Sequence, residues 1–160
     1  MKNAWFVRIA LPASLILGSL ACNEDEVTGS RGSLALVEID APSSARSGES
    51  FEIRVEANNI GISNIDRAHM DITLPPPLMV LSVSAETGTT ASVSNTASGA
   101  RISWELNTLD SNTESRLTIQ AVGVLPPGAG SRRLTIEGSL TGRRIDPGDV
   151  VARDEMDLTP

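Results

Sequence analysis

The chain has 160 residues, 40% of them hydrophobic and 21% charged, the size and balance of a single globular domain. Beyond residue 21 it carries 11 arginines against 20 carboxylates, a net charge near −9, with no basic cluster longer than a pair. That excludes the cationic footprint a nucleic-acid partner requires, since each phosphate contact needs its own cation.

Lys2 and Arg8 flank an otherwise uncharged start, and Ile9 to Leu20 (IALPASLILGSL) is then apolar or small throughout. Residues 1–21 read as a secretory signal peptide that is removed from the mature chain. A dozen residues at 1.5 Å rise cover about 18 Å of a roughly 30 Å hydrocarbon core, too little for a membrane span. The only cysteine, Cys22, follows directly, in Gly18-Ser19-Leu20-Ala21-Cys22. This segment resembles the lipobox of bacterial lipoproteins, which implies that Cys22 becomes the acylated first residue, although Leu20 stands two places before it rather than the family's three. Ser19-Leu20-Ala21 also satisfies the small-x-small rule of ordinary signal peptidase. Acylation is the expectation, because an unpaired thiol is a liability in an oxidising compartment and acylation would use this one. By the same resemblance, Asn23 in the place where Asp often signals inner-membrane retention implies the outer membrane. Residues 22–32 are charged, small and without periodicity, and they read as a flexible tether with a span of about 17–20 Å.

From Ser33 to Pro160, short segments alternate apolar and polar residues with period two between turn residues, which predicts antiparallel strands. They run in order from Leu34 to Ile39; Phe51, Ile53 and Val55; Ala68, Met70, Ile72 and Leu74; and Val80 to Val83 after Pro75-Pro76-Pro77. Ala100, Ile102, Trp104 and Leu106 come next, followed by Leu117, Ile119 and Ala121, then Leu134, Ile136 and Leu140, and a last segment around Val150 to Leu158. Seven or eight strands without an amphipathic helical window predict an all-β, immunoglobulin-like Greek-key sandwich at 33–160. Trp104 and Phe51 are the expected aromatic anchors of its core. With no tyrosine in the chain and both of these aromatics facing inward, stacking on sugars or single strands is not expected.

Asn58-Asn59-Ile60-Gly61, Asp71-Ile72-Thr73-Leu74-Pro75, Ile102-Ser103-Trp104-Glu105-Leu106 and Leu117-Thr118-Ile119 resemble, in order and spacing, the bacterial surface repeat called domain of unknown function 11. Pro77 and Asn107 stand where that family has glycines, and the chain holds one copy where the family has tandem arrays. Ser47-Gly48-Glu49-Ser50-Phe51 and the strand from Met70 to Val83 resemble cohesin-like modules. Both resemblances imply a sandwich that brings no catalytic site.

The chemistry-bearing residues are few. His69, the only histidine, has Arg67 and Asp71 two residues away on the same strand face. It reads either as a general base oriented by Asp71 or as a solvated-face residue, and the second is expected because no motif brings a nucleophile near it. One histidine cannot supply a zinc site. Asp146, Asp149, Asp154 and Asp157, together with the turn Asp110 to Glu114, offer oxygens of the kind calcium takes, set against the ordinary turn chemistry of Asp-Pro-Gly-Asp. No cofactor is expected. No lysine remains after residue 21, which removes Schiff-base chemistry, a phosphate loop and Lys–Asn crosslinks. Val80–Ser84 and Ala91–Ser94 are uncharged, and each reads as a sheet edge open to strand addition or, as expected here, a covered strand.

The reading that follows is a non-catalytic, lipid-anchored envelope module for adhesion, structure or protein interaction, held to the membrane by Cys22 and meeting a protein partner there. The alternative is a secreted calcium- or carbohydrate-related binding module or a hydrolase.

Overall fold

The computed structural model describes residues 34–145 and 150–160; the segments expected to be a signal peptide and a tether, with Cys22, Asp146 and Asp149, lie outside them. Ten strands run in chain order: β1 Ala35–Asp40, β2 Ser44–Arg46, β3 Ser50–Asn59, β4 Ile65–Leu74, β5 Leu78–Ala85, β6 Thr90–Thr96, β7 Gly99–Leu109, β8 Thr113–Gly123, β9 Arg132–Thr141 and β10 Val151–Thr159. They form a four-stranded sheet, β1-β3-β8-β5, and a six-stranded sheet, β2-β10-β9-β4-β7-β6. Every pairing is antiparallel except β2 with β10, which is parallel.

This is the expected immunoglobulin-like sandwich, with two strands more than the alternation suggested. The three residues of β2 are too few to carry a period, and β6 is nearly all exposed, so neither leaves an apolar rhythm. The first edge strand changes sheets: β1 pairs with β3, and after residues 41–43 the chain joins β10 in the other sheet. Asp154 accepts the Ala41 amide at 2.7 Å and fastens this crossing.

Alternation decides what is buried. Ile53, Val55, Ile119 and Leu117 from one sheet meet Met70, Ile72, Ile102, Ile136 and Leu140 from the other, all essentially without exposure. Each such side chain contributes about 1.5–3 kcal/mol by leaving water. Trp104 lies fully buried among them, and its indole Nε1 donates to Thr89 Oγ1 at 3.0 Å, so the polar tip of the ring is satisfied. Phe51 sits at the start of β3, near the end of the sandwich, and is only half-buried against the same core. Gly99 has φ +114°, and a Cβ there would run into the Leu74 carbonyl oxygen; the corner where β7 passes the Pro75–Pro77 bend therefore requires glycine.

Among the described residues one polar side chain is buried in this core, Asn59. Its amide donates to the carbonyls of Ser63 and Leu109, both at 2.9 Å, and accepts from the Gly61 amide at 3.0 Å. Asn64 then joins the same loop to the β7–β8 turn, donating to Asp110 at 2.7 Å and accepting from the Ser111 amide at 3.0 Å.

Candidate functional site

The register of β9, β4, β7 and β6 lines up their outward side chains in rows. His69 is opposite Thr141 on one side and Glu105 on the other; Asp71 is between Ser139 and Ser103; Thr73 is between Glu137 and Arg101. The outer face of the six-stranded sheet therefore collects the only histidine, three carboxylates, two serines and an arginine. Ser103 Oγ lies 3.4 Å from His69 Nε2, and Glu105 Oε1 lies 3.0 Å from Nδ1. The sequence reading placed no nucleophile near His69; pairing with β7 brings Ser103 there from 34 residues away.

The order serine, imidazole, carboxylate is that of a nucleophilic triad, but three features disable it. Asp71 Oδ1 also stands 3.4 Å from Nε2. When Nε2 carries the ring proton it is a donor between Asp71 and Ser103 and offers Ser103 no lone pair. Nδ1, although 3.0 Å from Glu105, has no partner in hydrogen-bond line, so the contact is one of charge proximity and does not fix the tautomer. Finally, the cluster lies on a sheet face. The groove that shares Arg101 with it, about 340 Å³ and open, is lined by Thr73, Ser94, Thr96, Ser98, Gly99 and Ala100, and takes in neither Ser103 nor His69.

Ion pairing explains the arrangement better. Arg101 grips Asp71 with two hydrogen bonds, Nη2 to Oδ2 at 3.0 Å and Nε to Oδ1 at 3.3 Å. Hydrogen bonding to Arg101, above all, holds the Asp71 carboxyl below the usual carboxylate range, against the opposing effect of burial and with smaller help from His69. The arginine at Asp71 is Arg101 from β7; the expected sharing of one strand face by Arg67, His69 and Asp71 is interrupted because the strand is irregular there, Arg67 having φ 54° and the register shifting on either side of Ala68. Similar pairs, Arg153 with Glu137 and Arg133 with Asp157, continue across β9 and β10.

The calcium candidates separate. Asp154 and Asp157 are three apart on β10, so they point to opposite faces; Asp154 caps the Ala41 amide and Asp157 pairs with Arg133. Asp110 is taken up by Asn64 and Glu114 by Arg116. Among the described residues no group of three histidine, cysteine or carboxylate side chains is gathered to hold a metal ion.

Both uncharged segments are edges, which corrects the expectation of a covered strand: β5 borders the four-stranded sheet and β6 the six-stranded one. They are not equivalent. Asn95 of β6 accepts from the Val80 amide at 2.9 Å and donates to the Val80 carbonyl at 3.0 Å, so a side chain occupies β5 where another strand would pair. Nearly every residue of β6 is exposed, Val93 by 39%. Small hydroxyl residues on an edge leave no sequence signal that separates exposed from covered.

Neither a protein-family model nor a curated protein matches the chain, so the likeness to the surface repeat rests on the residues quoted above. Solved structures do match. A cohesin module from a Clostridium perfringens family 33 glycoside hydrolase superposes with TM-score 0.57 at 8% identity, over 79% of this chain and 98% of that one. The CARDB domain of a Pyrococcus furiosus protein, solved in complex with di-metal ions, gives 0.56 at 14%, over 80% and 90%. A non-cellulosomal cohesin from Archaeoglobus fulgidus gives 0.51 at 11%, over 78% and 91%. At these identities the likeness establishes the fold, a sandwich of the immunoglobulin and cohesin kind.

Proposed function

We propose that the chain is a non-catalytic, lipid-anchored module of the bacterial cell envelope that presents a binding surface to a protein partner. The observation that carries this reading is the position of Cys22, the chain's one cysteine, at the end of an export-like segment and eleven residues before the first strand region. The sandwich adds support, since among the described residues the cluster of catalytic residue types around His69 is an ion-paired patch on a sheet face. Sandwich modules such as the cohesin and CARDB neighbours fit an interaction role and give no reason to expect catalysis. Membrane attachment through several acyl chains would be firm, where one chain alone is marginal.

Intact mass of the mature protein extracted from its host's membranes tests the anchor. The expected mass is that of residues 22–160 plus acyl groups; a bare chain in the soluble fraction would refute it.

The exposure of β6 favours a specific way of meeting a partner, addition of a strand to its uncharged edge. Val93→Lys should leave the melting temperature within about 1–2 °C of wild type and abolish capture of the partner in envelope crosslinking, while unchanged capture would remove strand addition. The calcium reading is weakened by the opposed faces of Asp154 and Asp157, and millimolar calcium should leave the melting temperature unmoved.

A further inference from the structure

The end of the sandwich at which the described chain begins is also where its apolar side chains are left uncovered. Leu34 is 63% exposed, Leu36 56%, Ile60 45% and Ile62 98%. They belong together: the Ile60 amide donates to the Leu34 carbonyl at 2.8 Å, extending the β1–β3 ladder by one pair, and Ile62 follows in the loop between β3 and β4. Four aliphatic residues around one loop make an apolar patch that calls for an occupant.

That loop is firmly held. The buried Asn59 amide makes three hydrogen bonds to it and its surroundings, and Asn64 joins it to the β7–β8 turn. The Asn59 side chain is thus turned inward to fix the backbone while isoleucines point outward, the reverse of an ordinary solvated loop.

The occupant follows from where the chain leads. Leu34 is twelve residues from Cys22, and a flexible coil of that length spans about 18–21 Å. The ten residues of β3 put the opposite end of the sandwich about 33 Å further away. Resting on the reading of Cys22 as the acylated residue, we infer that Leu34, Leu36, Ile60 and Ile62 form a membrane-contacting tip, seated in the headgroup–acyl boundary of the bilayer that holds the anchor. The tether and the tip then act together, and the module stands end-on to the membrane with its far end and the β6–β7 hairpin directed away. Charge is not the driving force, because Arg67, Arg143 and Arg144 share this end with Asp66, Glu86 and Asp110.

The experiment uses mature full-length protein extracted from membranes and reconstituted into phosphatidylcholine vesicles containing lipid brominated near the headgroup. Trp104, the only tryptophan after residue 21, is buried and serves as internal reference. I62W places a reporter at the tip and A97W one in the β6–β7 hairpin at the opposite end. Brominated lipid should quench the I62W protein at least twofold relative to wild type and leave A97W unchanged. Equal, absent quenching of I62W and A97W in protein whose mass shows acylated Cys22 would overturn the tip while sparing the anchor. A bare Cys22 with I62W still quenched would overturn the anchor and keep the tip; a bare chain without quenching would overturn both. An I62W blue shift that follows protein concentration and ignores brominated lipid would assign the patch to a second copy and also overturn the inference.

Discussion

Two regions of this sandwich use the same kinds of side chain in opposite ways. On the outer face of the six-stranded sheet, charged and hydroxyl residues lie outward and pair with one another, Arg101 with Asp71, Asp71 with His69, His69 beside Ser103 and Glu105, although His69 Nδ1 has no aligned hydrogen-bond partner. At the end where β1 begins, the Asn59 amide is spent on backbone groups and the Asn64 amide on the Asp110 carboxylate and the Ser111 amide, while Leu34, Ile60 and Ile62 meet solvent. Catalytic residue types on a flat, mutually paired face amount to a solvated surface. Apolar side chains on a rigidly fixed loop amount to a contact surface. What separates the cases is whether the exposed groups are polar ones set beside opposite charges or apolar ones left facing water.

The largest effect that would break this contrast is at Asn59. Asn59→Ala removes three hydrogen bonds, one of them a buried bond to the Leu109 carbonyl, so it should destabilise the fold by about 2–4 kcal/mol in chemical denaturation. Retained stability would mean that the loop is not held by this amide, and the fixed presentation of Ile62 would lose its basis. Trimming the sheet face should cost much less. His69→Ala removes a half-buried ring with no well-aligned hydrogen bond on Nδ1 and should cost about 1 kcal/mol or less, within the range of surface changes.

Asp71 sharpens the comparison through pH. Its carboxyl is held below the usual range, so the folded state binds the proton less readily than the unfolded chain. The stabilisation is present above the unfolded value of about 3.9 and is lost as pH falls through the lowered folded value. Asp71→Asn should therefore flatten the acid limb of stability below about pH 4. An unchanged limb would mean that Arg101, which is highly exposed, holds the carboxylate too weakly to register.

Much of the fold was legible because alternation is a direct record of burial. The segments around Ile53, Met70, Trp104, Ile119 and Ile136 all became central or paired strands with the expected face inward, and the segment around Val150 to Leu158 became β10. β2 was hidden because three residues hold no period; β6 was legible at Ala91–Ser94 only as an uncharged segment, because a strand exposed on most positions has no apolar stripe to display. The site was less legible. The nearness of Ser103 to His69, and of Arg101 to Asp71, comes from cross-strand register, which a single sequence does not print. Arg67 misled because a bulge beside it interrupts the two-residue rhythm on which the same-face argument depends. Asn59 was quoted only as part of a motif. Its burial becomes visible once the turn at Ile60 and Gly61 is seen to need a side-chain acceptor for the Gly61 amide.

The smallest expected effect is the most exacting test of the sheet face. Ser103 has the neighbour a nucleophile needs, at 3.4 Å, but shares that nitrogen with Asp71 and faces open solvent. Ser103→Ala should change neither the unfolding midpoint nor any binding measured in the envelope, and a serine-directed fluorophosphonate should label wild type no faster than the variant. Stoichiometric labelling lost in Ser103→Ala and in His69→Ala would mean that Nε2 does draw the Ser103 proton, and the face would then have to be counted as a reactive site. Absence of labelling with intact partner capture would leave the tether end and the β6 edge as the surfaces where this protein meets other molecules.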